Sequence, residues 1–393
     1  AVIYRFGGFS LDTDRLELTA HGRSVEVEPQ VFGVLRLLVE NNNRVVSKDE
    51  LIEAVWGGRI VSDATLDSRI SAARKAVGDS GKNQRVIKTL ARRGFRFVAP
   101  LDETPADTPT GRAKQSVRFC TSADGTNIAY AELGSGPPLV RAGTWLTHLE
   151  QDWAGPIWGA ALEGLGRHFT VFRHDQRGNG LSDWDVADLT LDHFVADLEA
   201  MVDAAGLDRF TLFGQSQGAP ISIAYAARHP ERVANLILLG GFAVGRQLRA
   251  SDSERDSAQA LATLIRNGWG QAGGQFLEAF ASIFIPDGTP EQIHWLAEMQ
   301  RATTNGDNAY RLRQAFDVID VTDMLDRVQA RTLVIHAQND AVHPLDQGRL
   351  LAARIPDARF VVLDARNHII VPPDPAWETF MAEVTAFVAA DAT

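Results

Sequence analysis

Cysteine is almost missing from this sequence, with Cys120 alone among 393 residues. One thiol closes no internal disulfide, and no Cys/His spacing resembles a zinc ligand set, so a reducing compartment fits and no metal or cofactor is called for. Long apolar runs are missing too. The longest candidate, residues 233 to 244 (VANLILLGGFAV), falls short of the roughly 20 apolar residues that a membrane helix needs. The start, AVIYRFGGFS, lacks the basic segment and apolar stretch of a leader. A cytoplasmic chain without a membrane anchor is expected. No repeat recurs at a fixed period, and residues 100 to 115 (PLDETPADTPTGRAKQ) hold three prolines and almost nothing to bury, which marks a linker.

What is present is ordinary for a folded chain: 45% apolar and 23% charged residues, in a length that suggests two or three domains at roughly 150 residues each. The net charge of -11 conceals an asymmetry. Residues 1 to 100 hold 16 Lys and Arg against 12 Asp and Glu, a net of +4, and the remainder carries -15. Between Arg69 and Arg96 stand nine basic residues and one acid, Asp79. Such a cluster is either a solvated surface or a seat for a polyanion such as DNA, and charge alone leaves both open.

The basic head reads as three kinds of element. YRFGGFSLDTDRLELTAHGRSVEVEP alternates apolar and polar residues between turn signals, which predicts a small antiparallel sheet. After Pro29, Val31, Val34, Leu35, Leu38 and Val39 repeat at helical spacing as far as Asn41. Ser47 with Glu50 forms a capping box for a second helix, and a third runs from about Asp63 to Val77. Leu66, Ile70, Ala73 and Val77 would be its buried stripe, leaving Thr65, Ser68, Arg69, Ala72 and Lys75 outward. Two alternating strands around Ala91 to Gly94 close the head as a hairpin with an arginine-rich tip. Sheet, three helices and basic hairpin make a winged helix-turn-helix.

Residues 1 to 100 resemble the effector domain of OmpR-type winged-helix transcription regulators, on VSKDELIEAVW, ATLDSRISAARKAVGD and IKTLARRGFRFVA. The resemblance implies that the third helix enters the major groove and that the wing touches the minor groove or phosphates. Arg69 is long enough for a base edge, Ser68 and Thr65 can donate to a phosphate or base, and Arg92 and Arg93 can neutralise phosphates. Arg74 lies seven residues after Asp67, so an internal ion pair competes with a DNA contact there. Such regulators usually carry a phosphoacceptor domain ahead of the winged helix. None is seen here, so control is expected from the C-terminal side, or not at all.

From residue 116, short β-rich runs alternate with helical segments, which predicts a largely parallel sheet with helices on both faces. Within it, Gly214-Gln215-Ser216-Gln217-Gly218 follows the strand FTLF and precedes a helix. Strand, G-x-S-x-G and helix together describe a nucleophile elbow, whose strained turn needs small residues two before and two after the serine. A serine hydroxyl reacts only when a base takes its proton and a carboxylate orients that base. Asp340, ending TLVIHAQND, and His368, following FVVLD, stand in the expected order after Ser216. Asp346 and Asp364 compete as the acid. His336 and His343 either line the pocket or are loop histidines satisfied locally. For the oxyanion, the donors expected are the backbone N–H of Gln217 and that of Thr144, with Trp145 as second choice.

Residues 116 to 393 resemble the α/β-hydrolase superfamily, on PPLVRAG, HDQRGNGLSDW, GQSQG, HAQNDAVHP and ARNH. THLEQDW and HDQRGNGLSD look like those of hydrolase-like domains fused to regulatory modules. Ala142-Gly143 departs from the His-Gly of many members. Asp175 to Asp183 read as a structural loop, with Arg177 and Asp183 bracing it. Between about 241 and 330 the strand pattern lapses, and Leu261, Leu264, Ile265, Trp269, Phe276, Phe280, Phe284, Trp295, Met299 and Phe316 suggest a helical cap, most of them as its core. The expected architecture is thus a winged helix-turn-helix (1–100), a linker (101–115) and an α/β-hydrolase domain (116–393). The expected partners are promoter or operator DNA and a small ester- or lactone-like ligand, with no membrane and the choice between monomer and homodimer open. Two functions compete: a regulator that senses and hydrolyses an effector, or a serine esterase, lactonase or carbon-carbon bond hydrolase with an accessory DNA-binding head.

Overall fold

Alternating apolar residues at the start of the chain pair as four short antiparallel strands, β1 (Ile3–Phe6), β2 (Phe9–Asp12), β3 (Glu17–Ala20) and β4 (Arg23–Val25), in that order across the sheet. The computed structural model describes residues 3–13, 17–20, 23–25, 27–42, 44–57, 61–90, 93–101, 115–270 and 275–390, in two units that divide between Arg112 and Ala113.

In the first unit Pro29 opens α1 (Pro29–Glu40), where a missing N–H costs nothing. Helix α2 (Lys48–Trp56) carries the capping box: the Glu50 N–H donates to Ser47 Oγ at 3.2 Å and the Ser47 N–H to Glu50 Oε2 at 2.8 Å. Ser62 caps α3 (Asp63–Ala76), whose Leu66, Ile70 and Ala73 share one buried core with Leu35, Leu38 and Phe97, with Val77 just beyond its end. A hairpin of β5 (Ile87–Leu90) and β6 (Gly94–Phe97) follows, and residues 91 and 92 at its tip lie outside the described residues.

Two charges inside this unit have structural partners. Arg74 is buried, and its guanidinium donates to the Ile87 carbonyl and to Thr89 Oγ1 at 2.8–3.1 Å, so it ties α3 to the hairpin instead of pairing with Asp67 or facing outward. Asp79 accepts the backbone N–H groups of Ser80, Arg85, Val86 and Ile87 at 2.8–3.0 Å. Burial opposes its ionisation, but those four donors outweigh it and hold the carboxyl below its usual range.

The second unit is one eight-stranded sheet of order β14-β13-β12-β11-β9-β10-β8-β7. Its strands are β7 (Ser116–Thr121), β8 (Asn127–Gly134), β9 (Pro138–Arg141), β10 (Thr170–His174), β11 (Phe210–Gln215), β12 (Val233–Leu239), β13 (Arg331–Ala337) and β14 (Ala358–Leu363). Strands β9 to β14 run parallel, and the first hairpin, β7–β8, joins antiparallel at one edge. Helices α4 (Leu149–Ala154), α5 (Trp158–Gly166), α6 (Leu191–Ala204) and α7 (Gly218–Arg228) pack on the sheet between β9 and β12. Strand β11 is buried along its whole length, as a central parallel strand covered on both faces must be.

Between β12 and β13 the chain leaves the sheet for α8 (Arg246–Arg249), α9 (Asp252–Gly268), α10 (Gln275–Phe284), α11 (Pro290–Thr303) and α12 (Gly306–Asp317). Ile265, Trp269, Phe280, Phe284, Met299 and Phe316 are buried there, whereas Leu264 stands at the surface, 54% exposed. Helices α13 (Leu345–Arg354) and α14 (Pro375–Ala389) complete the unit. No helix among the described residues is long and apolar enough to cross a membrane.

Candidate active site

The turn from β11 into α7 places Ser216 at φ +54°, a left-handed conformation that a non-glycine residue holds only when its surroundings compel it. The compulsion is visible in its neighbours. A Cβ on Gly214 would stand 2.6 Å from the Gly218 carbonyl and from Ser222 Oγ, and one on Gly218 would stand 2.9 Å from the Gly143 carbonyl. The spacing of the two glycines therefore follows from how closely strand, turn and helix approach one another.

Ser216 Oγ lies 2.7 Å from His368 Nε2, and His368 Nδ1 lies 2.8 Å from Asp340 Oδ2. All three side chains are buried. His368 is fixed through its backbone, since the N–H groups of His368 and Ile369 both donate to the Phe284 carbonyl of α10. Burial raises the Asp340 carboxyl, but the charge and hydrogen bond of His368 and the N–H groups of His343 and Val342 outweigh it and keep it low. Gly240, at φ +56°, forms the wall of this chain: a Cβ there would meet His368 Cε1 at 3.1 Å and Asp340 Oδ2 at 3.2 Å. The competing acids stand elsewhere, Asp346 paired with Arg349 at the surface and Asp364 exposed.

The backbone N–H of Gln217 begins α7, and Thr144 lies in the loop after β9. Neither N–H is used in a hydrogen bond among the described residues, so both are open to a ligand oxygen. The loop that carries Thr144 is held from three sides. Gln176 Nε2 donates to the carbonyls of Thr144 and Trp145, Asp175 accepts from Thr147 Oγ1 at 2.7 Å, and Trp145 Nε1 donates to Gln300 of α11 at 2.9 Å. Arg177 is likewise internal, bound to Asp197 and Asp124 at 2.6 Å, and Asp183 accepts the Asn127 N–H. Above the site, Phe284 touches the His368 ring, and Phe280, Trp145 and Trp269 continue an edge-to-face aromatic wall.

Three residues named in the sequence take contacts there that their spacing did not give. His343, set beside the alternative of a locally satisfied loop residue, has its Nε2 3.5 Å from Ser216 Oγ. His336 holds the His343 carbonyl at 3.0 Å, and Gln217 places its side-chain Oε1 2.7 Å from Ser216 Oγ. The signal was present in His336-x-x-x-Asp340-x-x-His343, where two histidines flank the acid within one strand end and its loop.

In the first unit, Ser68, Lys75 and Arg93 are exposed. Thr65 is half-buried with its hydroxyl 2.9 Å from Ser62 Oγ, Ala72 packs against the core, and Arg69 pairs with Glu28 at 2.5 Å. Arg92 lies outside the described residues.

Known proteins resemble both units. Residues 22–97 match the family described as transcriptional regulatory protein, C terminal, and residues 152–375 match the alpha/beta hydrolase fold. The chain is 29% identical to the non-heme chloroperoxidase CPO-A1 of Kitasatospora aureofaciens, over 69% of this chain and 98% of the relative. It is 27% identical to a pyrrolizixenacetamide deacetylase of Xenorhabdus hominickii, over 63% of this chain and 91% of that protein. Among solved structures, a hydrolase from Pseudomonas aeruginosa PA01 aligns with a TM-score of 0.57 at 26% identity, covering 70% of this chain and 98% of the other. The chain belongs to the α/β-hydrolase family, and it carries a DNA-binding domain of the transcriptional-regulator type ahead of the hydrolase domain.

Proposed function

We propose that the chain is a cytoplasmic, DNA-binding transcription regulator whose C-terminal domain binds and hydrolyses a small ester- or lactone-like molecule. The observation that carries the hydrolytic half is the buried hydrogen-bonded series Ser216, His368, Asp340 on a left-handed serine turn. In this reading His368 takes the Ser216 proton as Oγ attacks the carbonyl carbon, Asp340 orients the imidazolium, and the N–H groups of Gln217 and Thr144 receive the oxyanion. Collapse expels the alcohol with the proton from His368, and water releases the acyl group by the reverse sequence. The aromatic wall of Trp145, Trp269, Phe280 and Phe284 favours an apolar acyl or ring-bearing portion. The deacetylase among the relatives, which by its name removes an acyl group, supports the same reaction class.

For the regulatory half, Ser68, Arg69 and Lys75 on α3 would read or grip DNA, with Thr65 and Ala72 at the margin and Arg92 and Arg93 on the wing. The Arg69–Glu28 pair is exposed on the glutamate side, and such pairs are worth less than about 1 kcal/mol, so a phosphate or guanine competes with it readily. A second reading, in which hydrolysis is the main task and the head serves localisation or control of its own gene, is favoured by the completeness of the series, because a pure sensor needs no base and no acid beside its serine. One experiment separates them. Ser216→Ala abolishes hydrolysis of p-nitrophenyl butyrate and of a lactone panel while leaving DNA retention in a gel shift unchanged; loss of both activities sinks the modular account. An ester or lactone that shifts the DNA affinity of the Ser216→Ala chain supports the regulator, and identical affinity with and without every member of the panel supports the second reading.

A further inference from the structure

His343 sits in the loop just after Asp340, buried to 5% exposure, with its ring against Phe242 at 4.6 Å and edge-on to His368 at 5.3 Å. Its backbone is fixed at both ends. The N–H donates to Asp340 Oδ1 at 3.0 Å, the same carboxylate whose other oxygen meets His368. The carbonyl accepts from His336 Nε2 at 3.0 Å, which places the His336 proton on Nε2. His336 packs closely on α13, since a Cβ on Gly348 would stand 2.7 Å from its Nδ1. Three histidines thus stand around Asp340: His368 on Oδ2, the His343 N–H on Oδ1, and His336 on the His343 carbonyl.

Among the described residues the ring of His343 has one hydrogen-bonding partner, Ser216 Oγ, 3.5 Å from Nε2, and its Nδ1 is buried without one. Burial, followed by the positive charges of His368 and Arg249, pushes its titration well below the ordinary histidine range, so the ring is neutral and carries one proton. That proton has two addresses. On Nδ1 it would be a buried N–H with no acceptor, while the Nε2 lone pair faced the serine oxygen. On Nε2 it points at Ser216 Oγ, and only a lone pair goes unmatched. Buried unpaired N–H groups are the rarer case, which favours Nε2. Ser216 supplies a complementary demand: its single proton has two acceptors at 2.7 Å, His368 Nε2 and Gln217 Oε1, and its lone pairs are free for a donor.

We propose that His343 is a positioning residue of the serine centre, which presents Nε2–H to Ser216 Oγ and so keeps that oxygen in the rotamer that meets His368. The proposal rests on the reading of Ser216 as nucleophile. In acylation the Oγ proton passes to His368 Nε2, an Oγ lone pair forms the bond to carbon, and the carbonyl π pair moves to its oxygen; that pair then returns, the bond to the alcohol oxygen breaks, and the alcohol leaves with the His368 proton. In deacylation the water oxygen bonds to the acyl carbon as water gives a proton to His368, and on collapse Oγ leaves with the bonding pair and takes that proton back, releasing the acid. Negative charge passes through Oγ at both steps, and the His343 N–H opposes its cost without surrendering its own proton. The long distance in the free protein shortens as charge builds, which is common for hydrogen bonds at reacting atoms.

The test uses the intact chain and a fluorophosphonate, following the second-order rate of adduct formation at Ser216 by mass spectrometry in wild type, His343→Phe and His343→Gln. Phenylalanine keeps the ring packing and removes the donor; glutamine keeps a donor near the Nε2 position and removes the ring. The expected result is a loss of about tenfold or more in the phenylalanine variant and a rate within about threefold of wild type in the glutamine variant. The reverse order, or equal rates in all three, overturns the proposal and leaves His343 as a packing group. The pH midpoint of labelling stays unchanged in both variants, because a neutral group has been replaced; a displacement of a full pH unit contradicts it. Should either variant fail to fold, a histidine nitrogen NMR spectrum of wild type decides: the Nε2–H tautomer at His343 supports the inference and Nδ1–H defeats it. Wild type that is never labelled at Ser216 removes the hydrolase reading and this inference together, whereas labelled wild type with unaffected variants removes this inference alone.

Discussion

Asp152 shows how a single buried charge governs behaviour away from the reacting atoms. It is fully buried on α4, no hydrogen bond among the described residues reaches either carboxylate oxygen, and Arg173 Nη1 stands 3.6 Å away. Burial raises its titration, against the pull of Arg173 and Arg141, up to about 7. A carboxyl raised in the folded state contributes stability that is full below the unfolded value of about 4 and is lost as the pH climbs through the folded value. The hydrolase unit should therefore lose stability from about pH 4 to about pH 7 through this group, and Asp152→Asn should flatten that part of the profile. Urea unfolding followed across the interval measures it, and an identical slope in the variant contradicts the assignment. The hydrogen-bonded series itself was legible in the sequence, because Ser216, Asp340 and His368 each follow a strand of the sheet in a fixed order. For His343 the spacing beside Asp340 offered a place near the site, but not which way the loop after Asp340 turns its ring.

At the level of elements, the hairpin of the head is anchored by Asp79 as well as by its own pairing. Four N–H groups converge on this carboxylate and set the turn that delivers β5 to β6. Its titration is depressed, so its stabilisation is present above the unfolded carboxyl value and is lost as the pH falls through the lower folded value. Asp79→Ala should destabilise the head by about 2 kcal/mol at neutral pH, and thermal unfolding of the head reads this directly. Sequence reasoning saw Asp79 only as the lone acid in a basic run. Helices α1, α2 and α3 were more transparent, since Pro29, the Ser47–Glu50 box and the Leu66, Ile70, Ala73 stripe each state their role locally. Arg74 was legible only in part: an internal place competed with a DNA contact, and four residues after Ile70 it lies on the buried side of α3, where its partner is the Ile87 carbonyl instead of Asp67. A protein–DNA contact by Arg69 predicts that Arg69→Ala costs about 1–3 kcal/mol and relaxes sequence preference, whereas Lys75→Ala weakens all sequences alike and lowers the salt slope by about 1. Equal effects of the two substitutions on every sequence would place α3 away from the bases.

Over the whole chain, the division was readable because composition changes with it. A head of net +4 and a remainder of -15 meet at a stretch with little to bury, and the structure divides between Arg112 and Ala113. The cap was readable only as a lapse in strand pattern. Which of its residues face the serine depends on long-range packing, such as Trp145 against Gln300 and Phe284 against His368, that no local spacing encodes. The account joins these parts in one claim, that a promoter-binding chain carries a working serine hydrolase. The measurement that tests it most directly is intact mass spectrometry after treatment with a fluorophosphonate, on wild type, Ser216→Ala, His368→Ala and Asp340→Asn. The account predicts a single adduct on Ser216 in wild type, none in Ser216→Ala, and labelling slowed by about a thousandfold or more in the His368 and Asp340 variants. An adduct on another residue, or labelling of Ser216 that proceeds at the same rate without His368, would contradict it.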